Sequence, residues 1–235
     1  MREKSDKTKI KEGRGQITEA GYNAWKLVRE AHSKGTSSMI YDPVSGRSVN
    51  CLSKAEKKVF YMLRFHDGVE EIYDQFPMEK DGDNGTDAVC RKIGIKPYGH
   101  VLSTDFLVKK TDGSFVAISV KTSEDVFHVK GKRLASLVRR QEVEKKYWEA
   151  RNIIFRIVFA DDINDVLYAN IRNVMRYYPI EMAVGKEGKL KHLIARKVIR
   201  VDNIDRDYIP SAVLAKELDV EKIFRAHYDN EGGCV

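Results

Sequence analysis

Two apolar runs, Phe106-Leu107-Val108 and Phe115-Val116-Ala117-Ile118, flank a polar turn built on Asp112-Gly113. Dense aromatic and aliphatic runs bounded by turn residues read as strands covered on both faces. Residues 101–109 and 114–121 are therefore expected to pair as central antiparallel strands. The turn then decides which side chains share a face. A two-residue turn would place Asp105 opposite Val120, on the other face from Ser119 and Lys121. A three-residue loop, Thr111-Asp112-Gly113 with a left-handed glycine, places Asp105 opposite Ser119 and leaves Lys121 one step along the same face. An odd-length loop or a bulge is the expectation, and even, bulge-free pairing would dissolve the cluster.

Upstream, Ser53-Lys54-Ala55-Glu56 opens a helical pattern over residues 54–66. Ala55, Val59, Met62 and Leu63 form its apolar stripe, and Glu56 lies beside them near the N-terminus. A helix carboxylate, a strand Asp and a strand Lys are the parts of a magnesium-dependent nuclease with a restriction-endonuclease fold. Carboxylates hold hard cations through oxygen. The cation polarises a phosphate and activates water, and the lysine supports the charge that develops during attack. Each residue also has a plainer reading. Ser53-x-x-Glu56 is a capping box, Asp105 suits a turn or strand edge, and Lys121 suits a solvated strand end.

The rest of the chain supplies a frame. Residues 1–8 are charged and read as disordered, residues 18–32 as a short amphipathic helix, and residues 33–50 as loop. A strand over 69–76 ends at Pro77, followed by a polar loop at 79–86. After the central pair come a long basic helix (132–151), a buried strand (152–160) and a helix (162–178). This αβββαβα order is that of the restriction-endonuclease core, a mixed central sheet flanked by helices. The segment 186–200 reads as a solvated basic hairpin with its tip at Gly185–Gly188, and residues 211–218 and 221–228 as two short helices.

Several blocks carry a resemblance. Lys9-Ile10-Lys11-Glu12-Gly13-Arg14-Gly15-Gln16, Tyr22-Asn23-Ala24-Trp25, Ser33-Lys34-Gly35 and Ser45-Gly46-Arg47 come first. Leu52-Ser53-x-x-Glu56, Tyr73-Asp74-Gln75-Phe76-Pro77, Gly94-Ile95-Lys96 and Ser103-Thr104-Asp105-Phe106-Leu107-Val108 follow, then Glu142-x-Glu144-x-x-Tyr147-Trp148. In this order, over roughly residues 9–165, the chain resembles TnsA, the endonuclease subunit of heteromeric bacterial cut-and-paste transposases. The resemblance implies a Mg²⁺-dependent nuclease, with Mn²⁺ able to substitute, that nicks the 5′ ends of the element in double-stranded DNA. It implies two partners, a TnsB-type transposase and a TnsC-type ATP-binding regulator. Carried over by position, Glu56 and Asp105 are metal ligands and Lys121 is the catalytic lysine. The family often has Gln-x-Lys where this chain has Ser119-Val120-Lys121, so Ser119 stands at the metal edge with a shorter arm than an amide. Glu144 is placed near enough to assist. Gln75 reads as a polar edge residue or as a group that positions water.

The resemblance divides the chain into a catalytic domain, residues 1–167, and a small, mainly helical winged-helix-like domain, residues 168–235, that engages partners. In the latter, Glu217, Asp219 and Glu221 would repel DNA, which favours protein binding over base reading. Lys130, Lys132, Arg133, Arg139 and Arg140, on or beside the long helix, are candidate phosphate contacts. The formal charge of +7 suits a polyanionic partner. Three cysteines with no Cys-x-x-Cys pair fit a reducing cytosol. With no apolar signal core or spanning segment, the expected location is the bacterial cytoplasm. Two other functions remain open: a catalytically silent subunit bridging TnsB, TnsC and DNA, and a stand-alone resolvase or restriction nuclease.

Overall fold

The computed structural model describes residues 3–19, 21–30 and 36–230 of the 235-residue chain. It divides into two compact units, residues 1–41 with 47–162 and residues 42–46 with 163–235. The division after residue 162 precedes the helix that contains the expected boundary at 168.

The first unit opens with helix α1 (Asp6–Lys11), the two-residue strands β1 (Ile17–Thr18) and β2 (Gly21–Tyr22), and the hairpin strands β3 (Ser38–Asp42) and β4 (Arg47–Cys51). Helix α2 (Lys54–Arg64) leads into β5 (Val69–Pro77), helix α3 (Thr86–Lys92), β6 (Ser103–Lys110) and β7 (Phe115–Lys121). Helices α4 (Ser123–Phe127) and α5 (Gly131–Glu149) then lead to β8 (Ile154–Phe159). Strands β5-β6-β7-β8 form one mixed sheet in that order, with β5–β6 and β6–β7 antiparallel and β7–β8 parallel. Phe106, Leu107, Val108, Ala117, Ile118 and Val120 are all buried, as strands covered on both faces require. On one side Tyr73, Leu107 and Ala117 pack with Val89 of α3 and with Val143, Tyr147 and Trp148 of α5. Helix α2 packs on β5 and β7.

Several elements differ from the sequence expectations. Residues 6–11 are helical rather than disordered because tertiary partners hold them: Asp6 Oδ2 accepts the Val101 amide at 2.7 Å, and Lys9 is buried over the Trp25 ring. The described part of 18–32 is not an amphipathic helix. It is extended, with one 3₁₀ turn at Val28–Glu30. Its hydrogen bonds run to other segments: Gly15 N–H donates to Asn23 O, Trp25 N–H to Gln75 O, and Tyr22 Oη to Asp74 O. Residues 38–50 of the expected loop lie instead in the β3–β4 hairpin, and the block Ser33-Lys34-Gly35 lies outside the described residues. Helix α3 had no counterpart among the expected elements. Strand β8 is an edge strand rather than a buried one, with Ile154 and Ile157 exposed. Cys51 and Cys90 are buried and free.

The second unit contains helices α6 (Asp165–Met175), α7 (Gly185–Ala195), α8 (Ser211–Glu217) and α9 (Val220–Asn230). It is helical as expected, and no strand of a wing lies among its described residues. The expected basic hairpin at 186–200 is instead helix α7, with Leu190, Leu193 and Ile194 buried. Gly188, read as part of a turn tip, serves close helix approach: a Cβ there would come within 3.2 Å of Met182 O. The two short C-terminal helices form as expected. No helix among the described residues is long and apolar enough to cross a membrane.

Candidate active site

The central hairpin has the odd loop. Phe106 pairs with Ile118, Leu107 with Ala117, Val108 with Val116 and Lys109 with Phe115. Lys110 N–H donates to Ser114 O at 2.8 Å, and Gly113 takes a φ of +80°, the left-handed conformation a three-residue loop requires. Continuing this register sets Asp105 opposite Ser119. The paired ladder ends at Phe106 and Ile118. Past that point the Asp105 side chain takes over a backbone donor: its Oδ2 accepts Val120 N–H at 2.7 Å and lies 3.4 Å from Ser119 Oγ. Lys121 folds back along the same face, donating to Ser119 Oγ and Val120 O, each at 2.8 Å, with Nζ 3.9 Å from Asp105 Oδ2.

Glu56 comes from the first turn of α2. Ser53 is the N-cap, and its Oγ accepts Glu56 N–H at 3.1 Å, so the capping reading holds. The carboxylate is also committed to the site side. It accepts from Leu52 N–H at 2.8 Å, Ser53 Oγ–H at 3.0 Å and Gln75 Nε2–H at 3.1 Å. Burial, reinforced by repulsion from the Asp105 carboxylate, pushes Glu56 up to about 8, against the pull of those hydrogen bonds. The sign of the pH effect follows. The folded protein holds a proton that the unfolded chain has released, so stability falls as pH rises from about 4.5 to about 8. Glu56→Gln is expected to flatten this fall in metal-free protein, as measured by urea midpoints across that range. An unchanged slope would show that Glu56 is ionised throughout.

Gln75 lies on β5, an edge strand of the sheet, with its side chain buried. It is 2% exposed, adopts φ +48°, and uses its side chain to join two parts of the site. Nε2 donates to Glu56, and Oε1 accepts from Ser103 Oγ at 3.3 Å. Positive φ in a buried non-glycine residue is strain of the kind that collects at functional sites. Its carbonyl is turned off the sheet to accept Trp25 N–H at 3.2 Å.

Glu144, on α5, is 1% exposed. Arg140 Nε donates to its Oε1 at 2.8 Å and Thr104 Oγ1 donates to its Oε2 at 3.3 Å. Burial raises its proton affinity, Arg140 opposes this, and the Asp105 charge adds to it, which places Glu144 within electrostatic reach of Asp105. Of the candidate phosphate contacts, Arg140 is tied into the fold through Glu144 and Ser103 O, while Lys130, Lys132, Arg133 and Arg139 are exposed.

Two further residues were not foreseen. Lys26 is half-buried, and its proton affinity is lowered by burial and by Arg140 and held up by Glu3 and Asp105, which places it within electrostatic reach of Asp105. The Tyr22-Asn23-Ala24-Trp25 block directly before it was the available signal. Gln141, one turn before Glu144 on α5, donates Nε2–H to Ser119 Oγ at 3.2 Å. A lone glutamine on a basic helix carries no sequence signal.

A family model described as the TnsA-like endonuclease N-terminal domain matches residues 66–159. Those residues contain all four strands of the mixed sheet, from β5 to the end of β8, but stop short of Glu56 on α2. The transposon Tn7 transposition protein TnsA of Escherichia coli is 33% identical over 165 residues, covering 69% of this chain and 59% of that protein. The chain thus spans less than two thirds of that relative. The matched domain supplies the sheet on which Asp105, Ser119 and Lys121 are set, and the chain belongs to the TnsA family.

Proposed function

We propose that this chain is the endonuclease subunit that nicks the 5′ ends of a transposon in double-stranded DNA. It would work in the bacterial cytoplasm with a TnsB-type transposase and a TnsC-type regulator. The observation that carries this reading is the meeting of Asp105 of β6 with Ser119 and Lys121 of β7, with Glu56 close enough for its proton affinity to respond to Asp105.

The donor set fits Mg²⁺, with Mn²⁺ as a substitute. Among the described residues no group of three His, Cys, Asp or Glu forms a dedicated metal cage. Mg²⁺ asks for less: one or two carboxylates, with waters and substrate phosphate completing the octahedron. Asp105 and Glu56 would hold it and Ser119 would stand at its edge. A bound cation would polarise the scissile phosphate and lower the pKa of the attacking water. Glu56 would have to release its proton to serve as a ligand, and a bound cation would offset the burial and the Asp105 repulsion that oppose release. Gln75 and the Leu52 amide keep the Glu56 carboxylate oriented. Lys121, held by Ser119 and Val120 with its ammonium 3.9 Å from Asp105 Oδ2, would support the charge that develops on the phosphate. Lys26, within electrostatic reach of Asp105, would add positive potential to the site, and the exposed Lys130, Lys132, Arg133 and Arg139 are available to the flanking backbone.

The test is strand-resolved cleavage of a labelled transposon-end duplex with the cognate TnsB-type and TnsC-type proteins and Mg²⁺. Wild type is expected to nick the 5′ ends, and Asp105→Ala to lose about 1,000-fold in rate, as loss of several kcal/mol of metal-borne stabilisation implies. The short arm of Ser119 motivates the second reading, a silent subunit bridging its partners and DNA. Under it, 3′-end joining requires this protein but neither version nicks.

A further inference from the structure

We propose that Gln141 supplies the amide oxygen of the metal site, reaching in from helix α5 where strand β7 offers only the hydroxyl of Ser119. The proposal rests on the nuclease reading and adds a ligand to it. Gln141 lies with its amide against the site: Nε2 is 3.2 Å from Ser119 Oγ, which is itself 3.4 Å from Asp105 Oδ2. Its Oε1 is buried and has no hydrogen-bond partner among the described residues. Buried carbonyl oxygens in folded proteins are almost always satisfied, so an orphan beside a functional cluster calls for a partner.

The neighbouring groups do not provide one. Asp105 is an acceptor, with Oδ2 taken by Val120 N–H and facing Ser119 Oγ. Lys121 directs its ammonium to Ser119 Oγ and Val120 O. The Ser119 hydroxyl has one proton, and Asp105 is the charged acceptor for it, so Gln141 must present nitrogen to Ser119 and leave its oxygen over. A hard cation is the partner that suits a neutral amide oxygen beside the Ser119 hydroxyl and the Asp105 carboxylate, since amide carbonyls are ordinary oxygen ligands for such ions. The hydrogen bond to Ser119 then holds the ligand in orientation, as outer-shell bonds do around metal sites.

The experiment is Mn²⁺ binding to the full-length protein, without DNA, read by electron paramagnetic resonance of the free ion, with thermal melting of every variant. Wild type is expected to bind and Asp105→Ala to lose binding. Gln141→Ala is expected to weaken Mn²⁺ by about 10-fold or more, the scale seen when groups that support a metal site are removed, with its melting temperature unchanged. Gln141→Glu keeps the length and the oxygen and is expected to bind at least as tightly as wild type. In a Gln141→Ala background, Ser119→Gln moves the amide from helix to strand and is expected to restore affinity. If Gln141→Ala lowers the melting temperature as well, the Gln141→Glu variant decides, because a brace on Ser119 gains nothing from a carboxylate. Unchanged Mn²⁺ affinity in Gln141→Ala, with binding lost in Asp105→Ala, overturns the proposal and leaves the nuclease reading intact. Absence of Mn²⁺ binding in wild type overturns both.

Discussion

Lys121→Ala is expected to slow 5′-end cleavage by about 100- to 1,000-fold, the range for deleting one donor aimed at developing charge. Mn²⁺ affinity should survive, because the ammonium lies 3.9 Å from Asp105 Oδ2 and repels a cation there rather than holding it. The two readouts therefore split: Asp105→Ala loses metal and cleavage, Lys121→Ala loses cleavage alone. Lys121→Arg should rescue poorly. The ammonium fits between Ser119 Oγ and Val120 O at 2.8 Å each, and a planar guanidinium has different reach and donor geometry. Single-turnover rates at saturating Mg²⁺ make the measurement. Wild-type rates in Lys121→Ala would remove the lysine from the chemistry and leave it as a brace for the end of β7.

The largest expected effect on stability lies away from the site, in the N-terminal block. Arg14 and Glu30 form a bidentate pair at 2.7 and 2.6 Å, with side chains 1% and 3% exposed. Glu30→Ala is expected to cost about 3–5 kcal/mol in urea unfolding, because it takes from a buried guanidinium its buried carboxylate partner. Among the described residues, the hydrogen-bond partners that remain to Arg14 are the partly exposed Glu12 and the Trp25 carbonyl at 3.3 Å, which cannot replace a buried carboxylate. Replacing both partners together, Arg14→Met with Glu30→Leu, should recover most of the loss, since no unpaired charge is left behind. A small effect of Glu30→Ala would mean that water reaches Arg14. This pair also gives the Lys9–Gln16 block its physical content: Arg14 pins residues 12–16 to the segment ending at Glu30, and Tyr22 and Trp25 attach that segment to β5 through the Asp74 and Gln75 carbonyls.

What the sequence determined by itself was local or periodic. The register that brings Asp105 opposite Ser119 follows from one loop, because glycine at position 113 takes the left-handed conformation and side chains alternate strictly along a strand. Helix α2 follows from its N-cap and apolar spacing, and α5 and the two short C-terminal helices lie where the sequence reads as helical. Tertiary structure decided the rest, where distant partners outweigh local preference. Residues 18–30 have a helical apolar pattern, yet their backbone groups bond to β5 and to the N-terminal block, so most of the segment is extended. The glycines at 185–188 signal a turn locally, yet α7 forms because Gly188 packs against Met182 O and three apolar residues bury beyond it. Within the site the same division holds. Glu56, Asp105 and Lys121 were legible as types at meaningful spacing. The places of Gln75 and Gln141 were not, because they arise from long-range side-chain hydrogen bonds, of Gln75 with Glu56 and Ser103 and of Gln141 with Ser119, that no periodicity encodes.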